Sequence, residues 1–331
     1  MVLNPQLVDP TFYIAAFAGG AFGAAIGALP AFIFTGFMVI AGEAAGALGL
    51  DGAGEGASLT ATGFTGYLGF GPVFGPHISF AAGAAAAAYA AKQGYLDDGK
   101  NILWAAGTNN IDVLLVGGIF GILGLVGTGL GRTVGIPTDN IALMVVVSAL
   151  IHRVAFGYSV IGEITGDGIF DLGPWERDED EAPGIWLPWQ YQWSGVAMIG
   201  IIGGILGAAA FQATGSALIG FGISAASLVF LQAGVDNIPV THHITLPGAV
   251  GALGAQAAGY SPSVVLIFGG LFGAFGALFG EAFQRVFYMH GATHVDPPAG
   301  AIAASGLLSA ILTAAGVLGT TFWNPLSALG L

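Results

Sequence analysis

Seven stretches of this chain, residues 12–29, 30–50, 113–131, 141–156, 195–213, 262–283 and 299–318, are continuous apolar runs. Each is long enough, or nearly so, to cross a hydrocarbon core of about 30 Å at about 1.5 Å per helical residue. Burying so many runs in a water-soluble core would require a polar shell that the chain lacks. Only 8% of its 331 residues are charged, whereas a soluble domain carries roughly 25%. The exterior must therefore face lipid over most of its area. The runs are unbroken rather than alternating apolar with polar in strands of about ten residues, which selects helices over a barrel. The 58 glycines suit helices whose backbones approach closely in a bilayer. Met1 to Pro10 carries no positive charge and the first run leads into a second, so no cleaved signal is expected.

The few charges exclude some partners. Acidic residues number 19 against six basic ones, and no basic patch is available to neutralise phosphates, so a nucleic-acid partner is excluded. Acidity concentrates in Glu176-Arg-Asp-Glu-Asp-Glu181, and lysine occurs only at Lys92 and Lys100. Acidic, lysine-poor loops suit a high-salt cytoplasm, where screening removes self-repulsion, and point to a halophilic archaeal source. An ordinary acidic loop is the alternative reading. Cysteine is absent, which removes disulfides, thiol catalysis and iron–sulfur ligation.

The chain reads as two copies of one unit. Gly19–Gly23 pairs with Gly203–Gly207, and Pro76–Gly83 with His242–Ala249. The dipeptide Gly94-Tyr95 pairs with Gly259-Tyr260. Val113–Gly124 pairs with Val264–Gly276 after a one-residue adjustment, and Pro137–Asn140 with Val295–Pro298. Five landmarks in one order are hard to obtain by chance even in so glycine-rich a chain. The halves span 11–157 and 194–318, the first carrying insertions near 51–68 and 96–110. Between them, 158–193 is an acidic linker whose Trp175, Trp186, Trp189, Tyr191 and Trp193 suit an interfacial aromatic belt.

Each half is expected to cross the membrane five times. The crossings fall near 12–29, 30–50, 77–93, 111–131 and 139–156, then 195–213, 214–233, 243–259, 262–287 and 297–318. An odd number inverts the second copy. The fold expected is thus an all-α polytopic membrane protein, with about ten transmembrane helices as a 5+5 inverted repeat and re-entrant or broken segments. With both termini outside, Lys92, Lys100, Arg153, Arg177 and Arg285 fall inside and Arg132 outside, as the positive-inside rule asks. The linker is then cytoplasmic, and the location is the cell membrane.

Gly-Gly-x-x-Gly begins at Gly19, Gly117, Gly203 and Gly269. Close helix packing explains it better than a glycine-lined passage. Residues 58–72, and 234–243 in the second half, are broken by Gly and Pro at corresponding positions. Such paired breaks point to a transport site, although two extramembrane loops would read the same way. His77 and His243 occupy matching places at the start of matching helices, as do Asp139 and Asp296. Ionisable groups at membrane depth are costly and usually functional. The candidate pathway residues are His77, His243, Asp139, Asp296, His242 and Asp236, with helix capping the competing role for Asp139. His290, His294 and Asp296 offer a weak metal alternative without a fourth ligand. Haem would need axial histidines among His77, His152 and His243, and nothing else supports it. Glu281 and Arg285 are spaced for an i,i+4 pair. No nucleotide-binding loop or hydrolase elbow occurs.

Five helices inverted and repeated, with an interrupted segment after the second, resemble the layout of urea transporters. The resemblance covers most of the chain as a layout and does not extend to that family's motifs. The leading expectation is a transporter or channel for a small solute or ion, its pathway at the interface of the repeats, with lipid as surroundings, and glycine-rich outer faces make a homo-oligomer a compatible assembly. No cofactor and no enzymatic activity are expected. The alternative is a membrane subunit of a larger energy-coupling or structural complex, which would show itself by co-purifying partners.

Overall fold

A computed structural model describes residues 4–47, 61–104, 107, 109–164, 167–172 and 184–321. Most of the first insertion, and the acidic stretch 173–183 with Arg177 and Trp175, lie outside the described residues. Among the described residues the regular elements are all helices. The α-helices are α1 (Pro10–Ile26), α2 (Ala28–Ala47), α3 (Ala81–Lys92), α4 (Ile111–Val134), α5 (Asn140–Ala155) and α6 (Trp193–Thr214). They continue with α7 (Ile219–Ala226), α8 (Leu228–Gln232), α9 (His242–Ala257), α10 (Pro262–Phe283) and α11 (Pro297–Ala314). Each apolar run named above holds one of them. π-Helical turns at Ala61–Gly69, Pro76–Phe80 and Gln284–Tyr288 precede α3 and extend α10. Helices α2, α4, α6, α11 and α10 with its extension are long and apolar enough to cross a membrane, and α1, α5 and α7–α8 are shorter apolar helices. The architecture is that of an all-helical chain compatible with an integral membrane protein.

Local chemistry sets the helix starts. Asp9 accepts from Thr11 N (2.8 Å) with Pro10 in the first turn of α1. Asp139 accepts from Ile141 N (2.8 Å) and Ala142 N (3.1 Å) at α5. Asp296 accepts from Ala299 N (2.8 Å) at α11, where Pro297 and Pro298 occupy positions whose N–H would be orphaned anyway.

Glycine positions the interior helices. In the first half α1 packs on α4 so closely that a β-carbon on Gly20 would meet the Gly117 carbonyl oxygen, and one on Gly121 the Ala16 carbonyl oxygen. The second half makes the same contacts at the matched positions, Gly204 against the Gly269 carbonyl and Gly273 against the Gly200 carbonyl. The correspondence continues: Gly23 abuts the Ser79 carbonyl and Gly207 that of Thr245, while Gly124 abuts the His77 carbonyl and Gly276 that of His243. In each half, therefore, the first and fourth helices clamp the start of the third.

The halves meet through their second and fifth helices. Helix α2 packs on α7, and α5 on α11. Glu43 of α2 joins the two, accepting from Ser216 Oγ at 2.5 Å and from Thr65 Oγ1 at 2.8 Å. At the opposite end of the bundle the second insertion bridges the halves. Lys100 Nζ donates to Met289 O (3.4 Å), and Gln232 Nε2 to Leu103 O (2.9 Å).

Candidate functional site

The side chains left between the halves enclose a cavity of about 760 Å³. It is a direct product of the packing just described. Glycine and alanine bring the helices together within each half, whereas bulky residues of α2, α5, α7, α9 and α11 hold the halves apart. Phenylalanine forms much of the wall. Phe32 of α2 lies 5.7 Å from Phe80, 5.8 Å from Phe221 and 4.7 Å from the His242 ring, and Phe221 lies 5.5 Å from Phe70. All five rings line the cavity. Leu246, Val145 and Ile302 complete this aromatic and aliphatic section.

Polar groups gather at two ends. One is lined by Asp98, Lys100, Asn101, Tyr288, His294 and Asp296. His294 Nε2 pairs with Asp296 Oδ1 at 3.1 Å, and its ring stands edge-on to Phe80 and Tyr288. The Lys100 ammonium sits 4.7 Å from the Tyr288 ring centroid, and burial pushes its pKa down to about 8. Behind this end, fully buried Arg153 donates to Thr293 Oγ1, Thr293 O and Val160 O at 2.6–2.9 Å, and His152 Nε2 meets the same hydroxyl at 3.0 Å. The other end is lined by Arg132, Pro137, Asp139 and Asn140. The Arg132 guanidinium makes no hydrogen bond or ion pair among the described residues, and Asp139 spends one carboxylate oxygen on its helix cap.

The expected pathway residues divide sharply. Asp139, Asp296 and His242 line the cavity. His77 and His243 are buried, at 4% and 2% exposure, but they turn away from the cavity. His243 packs edge-on to Trp186 at 5.8 Å and against Gly280 of α10, and no ring contact joins the two histidines among the described residues. The residues one position earlier, Pro76 and His242, are the matched pair that reaches the cavity. Asp236 is exposed in the turn before α9, where Gly234 and Asn237 adopt positive φ. The two broken segments thus differ: of 58–72, residues 63–72 are buried or half-buried except for exposed Tyr67, whereas 234–239 is mostly exposed before 240–243 turn inward. His290 does not join His294 and Asp296, since its Nε2 meets Ile169 O at 3.0 Å. Among the described residues no three His, Asp or Glu side chains form a metal-holding group.

Sequence reasoning missed the phenylalanine wall, Lys100 and the Arg153–Thr293 node. A phenylalanine inside an apolar run carries no signal of which way it points. Arg153 does carry one, being a guanidinium within a predicted span.

Eleven α-helices among the described residues, several of them suited to a bilayer, around an apolar cavity with charged ends define the class as helical and membrane-compatible. It belongs to a family of unknown function, DUF7973, whose match covers residues 2–327. No curated protein and no solved structure matches the chain.

Proposed function

We propose that the chain is a ten-crossing membrane protein of two inverted halves and that the cavity between them is the pathway of a small solute. One observation carries this reading. The cavity is lined by Lys100 and Asn101, which precede the first residue of α4, and by Arg132 in that helix's last turn. Helix α4 has 24 residues and is therefore about 36 Å long, more than a hydrocarbon core of about 30 Å. Lined also from Pro298 in the first turn of α11 to Ala310 near its last, the cavity runs along the length of the bundle, which supports a passage between the two faces of a bilayer.

Inversion is supported by the ends that meet. Glu43, near the end of α2, accepts from Ser216, three residues before the matched helix α7 begins. Matched helices whose opposite ends coincide run antiparallel. The matched glycine contacts support two copies of one unit, and an interface between inverted repeats is where transport sites are built. Following the helices from end to end gathers Lys92, Lys100, Arg153 and Arg285 on one face and Arg132 on the other. That face is the cytoplasmic one on the positive-inside rule. The second insertion, absent from the second half, crosses the cytoplasmic mouth: its Ile102 O accepts from Leu29 N at 2.9 Å, and it lines the cavity through Asp98 and residues 100–103.

Purified protein in lipid vesicles should then conduct a small solute with no other subunit present. Vesicles with correctly inserted protein that pass no solute tried, while the native protein co-purifies with stoichiometric partners, would overturn the reading in favour of a complex subunit.

A further inference from the structure

We infer that the solute crosses uncharged and is selected at His242, so that the substrates are small neutral molecules bearing a hydroxyl or amide group. This rests on the pathway proposed above and narrows it. The central wall is made by Phe32, Phe70, Phe80, Phe221, Leu246 and Val145. Their side chains offer no charge, no donor and no strong acceptor. An ion there would lose its hydration with nothing in exchange. The ends do not favour either sign, because each mixes cationic with anionic side chains: Lys100 with Asp98 and Asp296, and Arg132 with Asp139.

His242 is the polar exception. It lines the cavity and is only 5% exposed. Neither ring nitrogen has a hydrogen-bond partner among the described residues, and Nδ1 is fully buried. No carboxylate lies within ion-pairing distance among those residues. The ring cannot turn to find another partner, because Phe32 (4.7 Å), His243 (5.7 Å) and Phe221 (6.0 Å) hold it on three sides. A buried imidazole kept unpartnered inside a dry wall costs stability unless something else supplies the hydrogen bond. As a neutral ring it presents one N–H and one lone pair, which a hydroxyl or amide can meet at once. The phenyl wall accepts the rest of a small molecule without competing for hydrogen bonds.

The test uses the full-length protein in vesicles, with glycerol and acetamide as neutral probes, followed by light scattering. K⁺ and Cl⁻ are followed with ion-sensitive dyes. Glycerol and acetamide should enter at least tenfold faster than into protein-free vesicles, with K⁺ and Cl⁻ at background. His242→Phe keeps the ring packing and removes both nitrogens. Its Tm should stay level or rise, because an unpartnered buried group is gone, while probe flux falls at least fivefold. His242→Gln, which restores a donor and an acceptor, should recover much of that loss. Ion flux above background overturns the inference and leaves the pathway standing, as does undiminished probe flux through a folded His242→Phe protein. Vesicles that pass neither probes nor ions overturn both.

Discussion

Lys100 approaches the Tyr288 ring and the Met289 carbonyl with a charge that burial opposes. Burial sets its pKa down to about 8, Asp98 resists the shift and Arg153 adds to it. When the loop carrying it lifts, the ammonium regains water and the ordinary value of about 10.4. The closed loop therefore binds fewer protons than the open one between those values, and raising the pH through that window favours closure. Hydrogen exchange at 97–104, corrected for intrinsic rates, should show protection rising from pH 7 to 9.5. Lys100→Met should make protection independent of pH, and a fall in wild-type protection would reverse the sign. The same scale shows what the sequence could and could not disclose. Asp139 and Asp296 were legible because a helix cap before an apolar run is a local signal. The histidines were legible as a matched pair but not as lining. Which of two adjacent residues faces a cavity depends on how the helix is rotated against its neighbours, and here His242 faces inward while His243 packs on Trp186.

Among the elements, the end of α10 and its π turn organise the linker. Arg285 pairs with Glu281 at 2.6 Å, donates to Phe170 O and Tyr191 O, and stacks over Trp193 at 4.5 Å. Both charges are nearly buried, with side-chain exposures of 9% and 3%. Removing one partner strands the other and costs about 3–5 kcal/mol, whereas removing both is far less harmful. Arg285→Met should thus lower Tm strongly and open the linker to limited proteolysis. The double substitution Glu281→Gln with Arg285→Met should recover most of the Tm but leave the linker cleavable, because the carbonyl contacts stay lost. Arg153 is the counterpart at the end of α5. Its three acceptors need a planar fork, so Arg153→Lys should destabilise nearly as much as Arg153→Ala, measured as Tm in detergent. The i,i+4 spacing of Glu281 and Arg285 was readable in sequence. Their long-range acceptors were not, since a backbone carbonyl gives no sequence signal.

For the whole molecule, each apolar run declared a helix, because length and composition suffice for that. The matched glycines were legible because close packing admits only glycine at fixed steps, and the close contacts recur at 20, 117 and 121 and at 204, 269 and 273, which supports the proposed repeat. The cavity was not legible, because it lies where the halves fail to fill space, and that depends on their relative placement. Placement also makes a prediction about sidedness. In the proposed topology Asp97, in the segment between α3 and α4, lies on the face that carries Lys92, Lys100, Arg153 and Arg285. Ser261 precedes α10, the matched helix, on the opposite face. Both are exposed, and the chain has no cysteine, so single cysteines can be placed there without background. In intact cells a membrane-impermeant thiol reagent should label Ser261→Cys directly and Asp97→Cys only after permeabilisation. The proposed topology holds the basic face in the cytoplasm, because translocating Lys and Arg is disfavoured, and matched helices that begin on opposite faces would be inverted copies. Labelling of Asp97→Cys alone would mean that the orientation is reversed with the inversion intact. Equal labelling of both in intact cells would place the starts of α4 and α10 on one face and end the case for inverted halves.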